Sequence, residues 1–262
     1  MDTPLESIEM HPFHILYATA SYALFLATFL YAIGFVGDLV VPKSINAPTG
    51  PGGWIAWLVD AAVLGLFAVQ HSVMARPAFK RWWTRFVPEP IERSTYVLFS
   101  SLCLCVLYVF WQPLPTVVWD LRGTSAGTLV LGLYALGWLV VLLSTFMISH
   151  FELFGLTQAW RRWREAPAQE SVFKEVLFYR FVRHPIMLGF LIAFWAAPLM
   201  THGRLLFALL TTGYILVGIR LEERDLVRKL GAAYLAYRAR VPALIPLARS
   251  RKSREAAGVS SH

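Results

Sequence analysis

One apolar stretch of this chain opens on Arg183-His184-Pro185 and closes on Glu222-Glu223, with a turn near Thr201 between them. The arms 184–201 and 204–222 are of nearly equal length, so an antiparallel helical hairpin about 26 Å long returns both glutamates to the level of the histidine. Histidine and carboxylates beside hydrocarbon are costly unless they are paired or bound to something charged, which makes a cationic cofactor or ligand the first candidate. A second group stands in the segment Ser149-His150-Phe151-Glu152-Leu153-Phe154-Gly155-Leu156-Thr157-Gln158, where a histidine, a carboxylate and an amide follow directly on an apolar run. Taken alone it is an ordinary interfacial helix end. Tyr179 to Pro185 leads into the hairpin; Pro185 suits a first helical turn, where its missing N–H is not needed, and His184 sits near the cap. Flanking arginines that snorkel explain that segment equally well, and only the return of Glu222 lifts it above a helix-start device.

Composition says what must position these groups. The chain is 57% hydrophobic and 15% charged over 262 residues, with a mean hydropathy of +0.54, beyond the usual range of a water-soluble domain. Runs of spanning length cover His14 to Val36, Trp54 to Ala75, Thr95 to Trp111 and Ala126 to Ile148. Ile186 to Met200 and Leu205 to Ile219 are shorter and fit the hairpin arms. With a cytoplasmic N-terminus, 21 of the 24 Lys and Arg fall on the inner side, which orients about six crossings with both ends inside. The net charge of +8 then needs no nucleic acid, because basic residues beside an anionic leaflet follow from membrane topology. The expected fold is an all-α polytopic membrane protein with a C-terminal hairpin.

An amphipathic helix on the cytoplasmic face follows, carried by Leu226, Leu230, Tyr234 and Tyr237 and ended by Val241-Pro242. Residues 1–247 form a single transmembrane domain, with ligand-binding parts roughly in 149–247, and 248–262 read as a disordered basic tail. Asp2, Glu6 and Glu9 stand where a signal peptide would be positive, so the first span is expected to stay. Cys103 and Cys105 lie two apart in an apolar helix and read as packing thiols, and no residue pattern suggests a metal site. The Gly- and Pro-rich segment Val41 to Gly53 is an extended connection: no Lys-Ser/Thr follows it as a phosphate loop would require.

Arg183-His184-Pro185, then Glu222-Glu223, Gly231, Tyr234, Tyr237 and Val241-Pro242, resemble the pattern of the membrane methyltransferase superfamily that includes isoprenylcysteine carboxyl methyltransferases and phospholipid N-methyltransferases. The front half resembles one branch, the membrane-bound methanethiol S-methyltransferases and their denitrification-linked relatives. That likeness rests on Gln70-His71-Ser72-Val73-Met74-Ala75-Arg76, Ile91-Glu92-Arg93-Ser94-Thr95-Tyr96, His150-Phe151-Glu152-Leu153-Phe154-Gly155 and Phe194-Trp195. The resemblance implies an S-adenosylmethionine site at the cytoplasmic face, lined by Gln158, Tyr179, His184, Pro185, Ile186, Met187, Glu222 and Glu223. The isoprenylcysteine enzymes carry a substrate-binding arginine where this chain has Gly218, and Arg220 is out of register, which argues against a carboxylate substrate. The inner membrane of a bacterium is the implied location.

Methyl transfer suits such a site. A thiolate attacking a sulfonium methyl group neutralises charge as the transition state forms, so a dry apolar cavity that aligns the two sulfurs favours the reaction. The remaining task is to deprotonate the thiol. His150, His184, Glu152 and Tyr179 are candidates for that step, and Arg93 or Arg183 for steadying the anion. His71 ends the second span; it reads as an interface or helix-packing residue, as a lining of the substrate pocket with Arg93, or as a haem ligand, since denitrification-linked relatives include a haem-containing carotenoid isomerase. The expectation is a methyltransferase converting a small thiol, methanethiol first, to its thioether. A haem protein, or a methyltransferase acting on a lipid or isoprenylcysteine, stands as the alternative. Oligomeric state is not legible.

Overall fold

A computed structural model describes residues 4–47, 53–166 and 176–245, with side chains from Pro12 onward. The expected basic tail 248–262 lies outside the described residues, as does most of the Pro-rich part of the Val41 to Gly53 connection. Among the described residues, five helices are long and apolar enough to cross a membrane: α1 (Pro4–Gly37, apolar from Pro12), α2 (Gly53–Met74), α4 (Glu89–Phe110), α5 (Ser125–Ile148) and α9 (His202–Leu230). Shorter helices α3 (Pro77–Trp83), α6 (His150–Leu153), α7 (Leu156–Trp163), α8 (Pro185–Trp195) and α10 (Ala232–Arg240) complete the described set. The class is all-α and polytopic, as composition and hydropathy require.

The hairpin arms are not equal helices. Its first arm, α8, is helical over 11 residues only, about 16 Å, and the rest of the arm is extended. The cause is in the sequence: Pro198 offers no N–H and biases Ala197 away from the α region, so the helix stops at Trp195. Extended backbone in this setting needs partners, and strand β1 (Val117–Asp120) supplies them by pairing antiparallel with β2 (Leu199–Thr201) in the register Val117↔Thr201, Trp119↔Met200 and Asp120↔Leu199. Leu121 N–H and the Trp119 indole N–H also donate to the carbonyls of Pro198 and Ala197, at 2.8 and 2.9 Å.

The expected single amphipathic helix is likewise two elements. The α9 helix continues through Glu222-Glu223 to Leu230, Gly231 breaks it at φ 58 and ψ −130, and α10 folds back. Leu226 and Leu230 therefore pack against Tyr234, Tyr237 and Val241, and the apolar period read as one stripe is two faces in mutual contact. Both tyrosines are buried.

Two close approaches set the frame. The α5 and α8 helices cross where a Cβ on Gly137 would lie 2.8 Å from the Gly189 carbonyl and one on Gly189 would lie 2.7 Å from the Gly137 carbonyl, so only glycine fits either position. Gly155, at φ 91 between α6 and α7, rests on Ser94 of α4, whose backbone N would be 2.7 Å from any Cβ there. The core runs through Phe35, Tyr108, Trp111, Trp138, Phe194 and Phe207.

Candidate active site

Three parts of the chain meet on one side of the helices: the α2–α3–α4 turn, α6 and α7 with the turn that precedes α8, and the end of α9 with α10. Arg76 pairs with Asp225 at 2.9 Å and so ties the end of α2 to α9. Arg93 Nε donates to the Leu153 carbonyl at 2.7 Å and ties α4 to α6.

Glu223 is the hub of the C-terminal part. Its buried carboxylate accepts Arg183 Nε at 2.8 Å and Nη2 at 2.5 Å and His184 Nε2 at 3.2 Å, and lies 3.3 Å from Arg238 Nε. The remaining Arg183 nitrogen donates to the carbonyls of Val241 and Arg238. Backbone N–H groups of Arg183 and His184 donate to the carbonyls of Pro242 and Ala243 at 2.9 and 3.1 Å, and Tyr237 Oη donates to the Tyr179 carbonyl at 2.7 Å. The Gly-x-x-Tyr-x-x-Tyr and Val-Pro elements thus form a clamp that holds the Arg-His-Pro segment in place. Every Arg183 nitrogen has a protein acceptor in this clamp, which gives Arg183 a positioning task.

Glu222 is placed differently. Its side chain is 50% exposed, and Oε2 stands 3.5 Å from Nδ1 of the buried His184. Pro185 is buried at the start of α8, with Ile186 and Met187 half-buried beside it. Tyr179 lies in a 3-10 turn, Leu177–Arg180, where burial and then the Glu222 carboxylate push its phenol above the ordinary range, so it is protonated at neutral pH. Gln158 on α7 anchors its Nε2 on the Glu152 carbonyl at 3.0 Å, leaving a buried Oε1 without a partner among the described residues. A half-exposed carboxylate and an unclaimed buried acceptor fit a ligand that brings cationic and N–H groups, as S-adenosylmethionine does.

His150 sits apart, between α1 and α5. Its Nε2 lies 2.8 Å from Tyr22 Oη and its Nδ1 2.8 Å from Thr145 Oγ1, and Phe146 stacks on the ring at 4.2 Å with Phe151 and Phe154 around it. Burial lowers its pKa, so the ring is neutral at neutral pH. Glu152, two residues on, is half-buried.

His71 lies between α2, α4 and α9. Tyr96 Oη is 2.8 Å from its Nε2 and Ser100 Oγ is 3.2 Å from its Nδ1. Phe67 stacks on the ring at 5.2 Å, and Ser72 Oγ donates to Tyr214 Oη at 3.5 Å. The Arg93 guanidinium stands 4.9 Å above the Tyr96 ring. Tyr96, Ser100 and Tyr214 had no role in the sequence reading. The available sign was polar spacing: Glu92, Tyr96 and Ser100 recur every fourth residue along α4, and the last two are the ones that meet His71. No group of metal-ligating side chains occurs among the described residues.

The chain is 56% identical over 236 residues to a methanethiol S-methyltransferase of Mycobacterium tuberculosis, covering 88% of this chain and 95% of the relative. It is 55% identical over 234 residues to methanethiol S-methyltransferase 2 of Bradyrhizobium diazoefficiens, covering 88% and 89%. A more distant likeness, 29% over 230 residues, covers 77% of this chain and 87% of Nurim from Mus musculus. No protein-family model and no solved structure matches the chain. Identity at that level along nearly the whole length of both chains, joined to a polytopic helical fold and a polar site at one end of it, places this protein in the methanethiol S-methyltransferase family.

Proposed function

We propose that this protein methylates methanethiol to dimethyl sulfide with S-adenosylmethionine as methyl donor, at a site on the cytoplasmic side of a bacterial inner membrane. The observation that carries the donor is Glu222: a half-exposed carboxylate at the base of the hairpin, beside a buried histidine and apart from the Arg183, His184 and Arg238 contacts that occupy Glu223. The name borne by relatives at 56% and 55% identity supports the substrate. When bound, S-adenosylmethionine supplies a methyl group on a positively charged sulfur.

The chain's residues hold that donor and keep it dry. Glu222 attracts the cation, Gln158 Oε1 accepts from the ligand, Tyr179 donates from its protonated phenol, and Pro185, Ile186 and Met187 form the apolar wall. His184 and Glu223 take part through geometry: the Glu223 hub fixes the imidazole that faces Glu222. An apolar wall favours a reaction in which opposite charges cancel, since water would stabilise the separated ions more than the transition state. The lipid and isoprenylcysteine alternatives gain no support from these observations, nor does haem, because both His71 nitrogens are engaged by Tyr96 and Ser100.

The test is methyl transfer by the purified protein in detergent, using S-adenosylmethionine with a labelled methyl group and methanethiol, hydrogen sulfide or a longer thiol as acceptor. Labelled dimethyl sulfide as the preferred product is the expected result. No transfer to any thiol would overturn the proposal.

A further inference from the structure

The group around His71 contains a proton path that its hydrogen bonds orient. Ser100 Oγ donates its one proton to the Tyr96 carbonyl at 2.9 Å, so towards His71 Nδ1, at 3.2 Å, it can only accept. With its proton on Nδ1, where Ser100 can accept it, the neutral ring keeps a lone pair on Nε2; the Tyr96 hydroxyl, 2.8 Å from Nε2 and 3.0 Å from Nδ1, then donates to Nε2. The phenol oxygen then has acceptor capacity left for a further donor.

A bland account is available: hydroxyl and imidazole pairs join transmembrane helices wherever they meet. Three features of this group go beyond it. His71, Ser72, Ser100 and Tyr214 remain half-buried although they lie between three packed helices. The nearest charge is cationic, Arg93 over the Tyr96 ring, which favours an anion formed beside Tyr96. Tyr214, which accepts from Ser72 of this group, is on the same helix as Glu222, about 12 Å along it towards the middle of the span.

We infer that Tyr96 and His71 form a relay that deprotonates the thiol, with Ser100 setting the tautomer. The inference rests on the thiol methyltransferase reading above. Methanethiol hydrogen-bonds through its S–H to Tyr96 Oη. The S–H bond breaks, its proton binds the phenol oxygen, and the original phenol proton moves to His71 Nε2. The electron pair stays on sulfur, so neutral thiol and neutral imidazole become thiolate and imidazolium with no change in total charge. Thioether formation consumes the thiolate, and His71 returns its proton to water before the next turnover. Charged and titratable groups facing this relay are Arg93 and Glu92 from α4, Arg76 from the end of α2, and Tyr214 from α9, with Arg76 itself paired to Asp225.

The test needs no methyl donor. Protein with nitrogen-labelled histidine is saturated with methanethiol at neutral pH, and histidine protonation is followed by nuclear magnetic resonance while thiolate is followed by its ultraviolet absorbance. In the wild type, one imidazole is expected to pass from its neutral to its doubly protonated form as thiolate appears. Tyr96→Phe and His71→Asn are expected to lower bound thiolate roughly tenfold or more, and Ser100→Ala by a smaller factor, with calorimetric affinity for S-adenosylmethionine kept. An unchanged histidine spectrum in thiol-saturated wild-type protein overturns the relay without reference to any variant. If that protein still makes dimethyl sulfide, the relay alone is wrong; if it neither binds nor methylates a thiol, the functional reading falls with it.

Discussion

His71 and His150 are held by the same pattern of hydrogen bonds and stand in opposite surroundings. In each, a tyrosine hydroxyl meets Nε2 at 2.8 Å, and a hydroxyl that already donates to a backbone carbonyl can only accept from Nδ1. Tyr22, His150 and Thr145 are then closed in by Phe146, Phe151 and Phe154, and the ring is 7% exposed. Tyr96, His71 and Ser100 keep an arginine overhead and a half-buried tyrosine, Tyr214, on a third helix. A Tyr–His–hydroxyl triplet is therefore not a catalytic signature by itself. Charge and access decide between a device that welds α1 to α5 and one that moves a proton.

Substitutions can break or sharpen this contrast. The largest difference is expected in turnover: His71→Asn lowers kcat/KM for methanethiol by about a hundredfold or more at neutral pH, in the range of a lost general base, whereas His150→Asn lowers it by less than about fivefold. Comparable losses in both would erase the distinction. The third histidine environment, the Glu223 hub, is expected to matter for folding first. Glu223→Ala leaves the buried Arg183 without its counter-ion and costs about 3–5 kcal/mol, read as a lowered unfolding midpoint in detergent. A midpoint equal to wild type would remove the clamp from the account.

Smaller effects follow around His150 and at Glu222. Thr145→Val leaves the His150 Nδ1–H without its acceptor and costs about 1–3 kcal/mol, with no change in the shape of the pH–rate curve. Glu222→Gln, at a half-exposed position, weakens S-adenosylmethionine binding by about tenfold in calorimetry, with unfolding unchanged. The smallest effect is one of pH. Burial lowers the His150 pKa, so the unfolded chain binds this proton more readily than the folded one; stability falls as pH drops below the ordinary histidine value of about 6.5 towards the folded value. His150→Phe is expected to flatten that acid slope, and an unaltered slope would assign it elsewhere.

Much of the fold was legible because membrane spans are written in composition. The four long runs from His14 to Ile148 match α1, α2, α4 and α5 to within a turn or two at most ends. Where the expectation of two equal helical arms fails, the deciding residue was visible: Pro198 stops α8 early. Its consequence, pairing of 199–201 with 117–120, was not visible, because it depends on two distant segments meeting. Gly231 was likewise noted as a motif residue without its positive φ, and so α9 and α10 merged into one stripe. At the site, the Arg-His-Pro and Glu-Glu motifs were located, but which glutamate is buried depends on how α9 is rotated, and sequence spacing does not fix that. His71 was singled out for a role, while its partner Tyr96 entered only as one residue of a motif. A tyrosine in an apolar helix looks like packing until the neighbouring helix places an imidazole against it.

The most direct test of where the chemistry lies is the pH–rate profile of His71→Asn and His150→Asn beside the wild type, with methanethiol as acceptor. If His71 relays the thiol proton, the deficit of its variant shrinks as pH rises and solution supplies thiolate, while the His150 variant runs parallel to wild type at every pH. A parallel, pH-independent offset for His71→Asn, with a deficit at His150 that closes at high pH, would contradict the account and return thiol activation to the α1–α5 side of the molecule.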